Sequence, residues 1–167
     1  TGKCVQTLYD NRVLGGAIAW SPDSQTLATS ATDCTVKLWD VQTGTCQQAL
    51  SGHQSVVWAL DWSPDGRTLA SGSDDGTVKL WDMQSQSCLR TLSAHYFRVW
   101  DVSWSPDGKF LASSSPDETI RVWPAEEGEC LHILRCDRPY EAMNITGITG
   151  LASAQKSTLK MLGAVEE

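Results

Sequence analysis

The sequence predicts an all-β chain: three repeated units of four strands, one surplus outer strand ahead of them, and a short carboxyl-terminal helix. Three observations lead there. Trp39, Trp81 and Trp123 recur every 42 residues, as do Trp20, Trp62 and Trp104, and a fixed period of this length marks a repeated supersecondary unit. Each unit carries an alternating apolar run that stops at the same tetrapeptide, Trp-Ser-Pro-Asp. No stretch before residue 150 has helical periodicity.

Taken in chain order, Cys4–Leu8 reads as an outer strand, and the units follow at 11–50, 51–92 and 93–135. In the middle unit the strands are predicted at about 57–62, 68–72, 77–81 and 87–92. Val57-Trp58-Ala59-Leu60-Asp61-Trp62 and Val99-Trp100-Asp101-Val102-Ser103-Trp104 place alternate side chains on opposite faces. Proline then removes a ladder donor and presets a turn. Asp65-Gly66 and Asp107-Gly108 supply the positive φ that such a hairpin needs.

Gly52-His53, Trp-Ser-Pro-Asp-Gly, Leu69-Ala70-Ser71-Gly72-Ser73-Asp74-Asp75-Gly76 and Thr77-Val78-Lys79-Leu80-Trp81-Asp82 together resemble the WD-repeat family over residues 1 to about 135. The resemblance implies a partial β-propeller of three four-stranded WD-type blades. It also implies a hydrogen-bonded staple in each blade: His53, Ser71, Asp75 and Trp81 in the second, and His95, Ser113, Asp117 and Trp123 in the third. The physical need is that a buried indole N–H or turn carboxylate costs a few kcal/mol without a partner. The first blade departs from the pattern. Asn11 stands at the histidine position, leaving Thr29, Asp33 and Trp39, and Cys34 replaces the turn glycine. That blade is therefore expected to be held less firmly. The third unit ends Trp123-Pro124 instead of Trp-Asp, a change expected to matter little.

Four segments match an outer strand (Cys4–Leu8, Cys46–Leu50, Cys88–Leu92 and Cys130–Leu134) against three sets of inner strands. The surplus predicts that Cys4–Leu8 completes a preceding blade, and hence that the chain is the carboxyl-terminal piece of a longer protein. Propellers close with about four to eight blades. Three blades should therefore be covered by upstream blades or by copies of the chain.

A net charge of −7 argues against nucleic-acid and anionic-membrane partners, which favour a basic surface, and no apolar run is long enough to span a bilayer. Four of the six cysteines repeat at the blade period. Equivalent places on neighbouring blades are too far apart for a disulfide, so reduced thiols and a cytoplasmic location are expected. Without Cys-x-x-Cys or paired histidines no metal is predicted, and no cofactor is either, there being no glycine-rich phosphate loop.

Residues 136–167 leave the repeat. Arg138 to Gly147 reads as extended, and Gly150 to Gly163 as a helix started by Ser153 and ended by Gly163, with Leu151, Leu159 and Leu162 on one side. This tail resembles the segment that closes large cyanobacterial multi-WD-repeat proteins, many with an upstream signalling NTPase domain.

The functional expectation is a protein or peptide interaction platform, possessing no catalytic residues. A serine–histidine–aspartate grouping occurs in both full blades, but repetition marks it as a structural staple, and a hydrolase is the least favoured reading. Binding residues are sought where the units differ: Arg12, Gln54 and Tyr96-Phe97-Arg98 before the first strand, Gly16, Trp58 and Trp100 at its opening, and Thr32, Asp74 and Pro116 before the turn aspartate. Aromatic and arginine side chains carry much interface energy, so Trp58, Trp100, Tyr96, Phe97, Arg98, Arg12 and Asp74 are the predicted partner-binding set. A subunit that closes a ring with its own copies is the alternative.

Overall fold

Each unit folds as the alternation and turn residues require, into one antiparallel sheet with strands in sequence order. The computed structural model describes residues 2, 4, 7, 8, 16–93, 95–135, 144, 146, 153–161, 164 and 165. The first sheet contains β1 (Ile18–Trp20), β2 (Thr26–Ser30), β3 (Val36–Asp40) and β4 (Cys46–Leu50). The second contains β5 (Val57–Trp62), β6 (Thr68–Ser73), β7 (Thr77–Asp82) and β8 (Ser87–Ser93). The third contains β9 (Asp101–Trp104), β10 (Phe110–Ser114), β11 (Thr119–Pro124) and β12 (His132–Arg135). Register repeats with the sequence: Leu27 faces Trp39, Leu69 faces Trp81, and Leu111 faces Trp123. The fold is thus an all-β partial propeller of three blades.

The first turn of each blade is a local hydrogen-bond unit. The hydroxyls of Ser21, Ser63 and Ser105 donate to Asp23, Asp65 and Asp107 at 2.6, 2.6 and 2.7 Å. Each serine oxygen also accepts the backbone N–H that opens the next strand. Gly66 and Gly108 take the positive φ read from the sequence, and Ser24 takes it in the first blade.

Two seams hold the blades together. Ala28, Val36, Leu38 and Leu50 of the first sheet cluster with Leu60, Trp62, Leu69 and Trp81 of the second. Ala70, Val78, Leu80 and Leu92 of the second cluster with Val102, Trp104, Leu111 and Trp123 of the third. Every sheet therefore has a leading face, carrying the tryptophans, and a trailing face of smaller aliphatics. Polar ties cross the seams. Trp62 donates its indole N–H to the Ala19 carbonyl at 3.2 Å, and the Trp104 backbone N–H donates to the Asp61 carboxylate at 2.7 Å. Close approach also selects glycine here, since a Cβ on Gly72 would stand 2.6 Å from the Val99 side chain.

Two expectations need correcting. The inner strand of the third blade begins at Asp101, not Val99, because Val99 donates its N–H across the seam to Ser73. Pro124 matters more than predicted. Asp40 and Asp82 accept N–H and O–H groups from Thr43, Gln84 and Ser85 and so shape the turn into the outer strand. Proline offers no such acceptor, and β12 starts only at His132, leaving Cys130 outside it. Of the surplus outer segment only Cys4, Thr7 and Leu8 are among the described residues.

Residues 135–167 form a second unit. Helix α1 (Ser153–Met161) starts at the residue predicted to cap it. Asn144 forms a parallel bridge with Val165, and the rest of the segment from 138 to 147, Thr146 apart, lies outside the described residues. Leu151, Leu162 and Gly163 lie outside the described residues.

Candidate functional site

The staples form as linear chains of hydrogen bonds. In the second blade Trp81 Nε1–H donates to Ser71 Oγ at 2.8 Å, Ser71 Oγ lies 2.7 Å from His53 Nε2, and His53 Nδ1 lies 2.9 Å from Asp75 Oδ2. The third blade repeats it, with Trp123 to Ser113 at 3.1 Å, Ser113 to His95 at 2.9 Å and His95 to Asp117 at 2.9 Å. A carboxylate can only accept, so Nδ1 carries the proton. The serine hydroxyl then donates to Nε2 while accepting from indole. Burial lowers the pKa of both histidines against the opposing pull of their aspartates, in keeping with a neutral ring. Burial alone would raise Asp75, but hydrogen bonds from the Thr77 side chain, the Gln54 backbone, His53 and the Thr77 backbone outweigh it and hold the carboxyl at about 2.

Thr77 and Thr119 belong to these sets as well, each donating its hydroxyl to the turn aspartate at 2.6 Å. Sequence reading missed them, although Thr35, Thr77 and a matching Thr119 recur at the blade period. The order of donors is that of a serine-hydrolase triad. Its oxygen is spent on the indole, however, and Ser71 and Ser113 have essentially no exposed surface. The grouping pins β5–β7 and β9–β11; it presents no nucleophile. In the first blade Trp39 still donates to Thr29 at 2.9 Å and Asp33 still holds Thr35. Asn11, at the histidine position, lies outside the described residues.

The side chains picked as differing between units lie elsewhere, on exposed surface. Trp58, Tyr96, Phe97 and Trp100 are all exposed. Trp58 is the extra residue of a bulge, since Val57 faces Ser73 while Ala59 faces Gly72, and a bulge re-aims a side chain out of the pleat. Arg98 joins two members of this group: its Nε lies 3.1 Å from Asp74 Oδ1, and its guanidinium sits 6.0 Å from the centroid of the Trp58 ring. Asp74 is set in turn by its own N–H donating to the Val56 carbonyl. Gly76 ties the turn to the next blade: its carbonyl accepts the His95 N–H, and a Cβ there would stand 2.7 Å from the His95 oxygen. Arg12, also predicted for this set, lies outside the described residues.

Arg90 was not foreseen. Its guanidinium donates across the second seam to the carbonyls of Ala125, Glu126 and Glu127 at 3.3, 2.9 and 2.6 Å. Partners that are backbone oxygens leave no side-chain pattern to find. Among the described residues Cys34, Cys46, Cys88 and Cys130 are free thiols, no group of His, Cys, Asp and Glu could hold a metal, and no helix is long and apolar enough to cross a membrane.

Repeated four-stranded blades, stapled internally and sealed to one another face to face, define a repeat protein whose surface rather than its interior varies. The family model "WD domain, G-beta repeat" matches residues 2–40, 44–82 and 86–124, more than half of the chain, and the chain belongs to that family. A search of curated proteins found no match. WD repeats generally serve protein interaction and scaffolding. The matched units are offset from the blades, each starting in an outer-strand segment, so residues 2–8 align with the segments of β4 and β8.

Proposed function

We propose that this chain is a protein-recognition scaffold that takes a protein or peptide partner on the rim formed by Trp58, Asp74, Tyr96, Phe97, Arg98 and Trp100. One observation carries the reading: Arg98 is held by Asp74 and lies over Trp58 beside three other exposed aromatic side chains. Holding a long side chain in place before binding reduces the entropy lost on association, and an aromatic and arginine cluster is the composition that carries interface energy. The reading is a non-enzymatic one, supported by the burial of Ser71 and Ser113. Reduced thiols fit a cytoplasmic place of work. The resemblance of the tail to large multi-WD proteins extends the proposal to a sensor role in a signalling protein.

Selection of peptides from a displayed library against the purified chain tests this. Binders should lose affinity on Arg98→Ala and Trp100→Ala while the unfolding temperature stays unchanged. Binders indifferent to both substitutions overturn the assignment of the rim.

A further inference from the structure

The staples recur from blade to blade, and one set of side chains at the rim does not. Arg98, Asp74 and Trp58 meet between the second and third blades, Arg98 Nε lying 3.1 Å from Asp74 Oδ1 and the guanidinium 6.0 Å from the Trp58 ring centroid. One period earlier the same three positions hold Val56, Thr32 and Gly16. Trp100, one period after Trp58, has Pro116 in place of the aspartate. The repeated fold therefore does not call for this set, and an ion pair between partly exposed side chains adds little to stability. What the carboxylate and the ring accomplish is to hold one cation still.

Asp74 engages only Nε. The two terminal nitrogens of Arg98 meet no acceptor among the described residues, and the side chain is 47 % exposed. Held in one plane, those nitrogens form a fork that matches the two oxygens of a carboxylate. Phe97 precedes Arg98 in the chain and Trp100 follows it, both exposed, so apolar surface borders the fork on two sides. Asp101 and Glu118 are exposed on the same blade, and the chain carries a net charge of −7. A run of acidic residues is therefore repelled.

We propose that the rim takes a peptide by one internal acidic side chain, its carboxylate held by both terminal nitrogens of Arg98 and its apolar neighbours lying against Phe97 and Trp100. A fork asks for a carboxylate. Aromatic surface on two sides asks for chain on both sides of that carboxylate, which an internal residue provides and a carboxyl terminus does not. The negative surroundings limit the partner to a single charge. Asp74 and Trp58 are positioning residues, since they act on the ligand through Arg98. This selectivity rests on the rim being the partner-binding surface.

Titration of the full chain with N-acetyl-Phe-Glu-Phe amide and its glutamine counterpart, followed by NMR at the Arg98 Nε–H and the Trp100 indole, tests it. The glutamate peptide should bind about tenfold tighter, the size of a charge-assisted contact on partly exposed surface. Arg98→Lys keeps the charge but loses the fork, and most of that preference should go. Arg98→Ala should abolish it, with the glutamine peptide still bound as evidence that the rim is intact. N-acetyl-Phe-Leu-Phe with a free carboxyl terminus should bind no tighter than its amide, and N-acetyl-Glu-Glu-Glu amide more weakly than the singly charged peptide. Equal affinity for glutamate and glutamine, no binding by either, a preference that survives Arg98→Ala, or tighter binding of the free terminus or of the triple glutamate overturns the proposal. The rim is judged apart from it. Glutamate and glutamine peptides that bind equally and both weaken on Trp100→Ala keep the rim and discard the carboxylate, whereas binding indifferent to Trp100→Ala discards both.

Discussion

The second and first blades are built on the same register, yet they are held differently. In the second, Trp81, Ser71, His53 and Asp75 form one continuous chain from a core indole to a surface turn. In the first, the Trp39–Thr29 bond and the Asp33–Thr35 turn both form, and the structure describes no imidazole between them. The difference teaches that the staple is modular. A hydroxyl satisfies the indole and a threonine satisfies the turn carboxylate, each over a short loop. The histidine adds the link that couples strand, turn and the loop arriving from the previous blade. Left-handed backbone marks the same contrast: Gly76 takes φ 79° where Cys34 is held at φ 65°, a conformation that costs a residue with a Cβ about 1 kcal/mol.

Substitutions break this contrast. Ser71→Ala leaves a fully buried indole N–H and imidazole without their shared oxygen, and is expected to cost about 3 kcal/mol in urea unfolding. Thr29→Ala, which strands the Trp39 indole alone, should cost about half as much. A Ser71→Ala chain as stable as the Thr29→Ala chain would show that the histidine link adds nothing. Arg90→Ala unties three carbonyls at the turn that lacks its aspartate, and about 2 kcal/mol should be lost. Hydrogen exchange should quicken in residues 125–131, with the first blade unaffected.

Acid sharpens the contrast. His53 and His95 have folded-state pKa values below 6.5. Their contribution is therefore present above 6.5 and is lost as pH falls below it through the folded values. Denaturation midpoints measured from pH 7 to pH 5 should fall in the wild-type chain and flatten in a His53→Gln, His95→Gln double variant. Asp75, held at about 2 against an ordinary 3.8, contributes stability that is present above 3.8 and is lost as pH falls from there toward 2. The smallest effect has the opposite sign. Cys34→Gly relieves the left-handed strain at some cost in unfolded-state entropy and should stabilise the chain by about 0.5 kcal/mol. A loss of stability there would mean that the thiol does more than occupy the turn.

Much of this was legible beforehand because the repeat averages out local accident. Strand positions in the second blade match to within a residue or so, since alternation and Ser-Pro-Asp turns act over a few neighbours. The staple partners were implied by the resemblance to WD repeats, on motifs that recur here at a fixed spacing. Val99 misled because its backbone serves the adjacent blade, and Pro124 because the aspartate it replaces acts on the following turn and not within the strand.

By itself, then, the sequence determined the unit: the period of 42, the four strands, the hydroxyl–imidazole–carboxylate chain and the list of exposed variable side chains. These depend on interactions within one blade, and the same residues yield them each time. Only the tertiary structure decided that Arg98 reaches Asp74 and Trp58, and that Arg90 grips three carbonyls. Such contacts are a property of a pair of blades, and no residue carries in its own identity what the opposing blade presents.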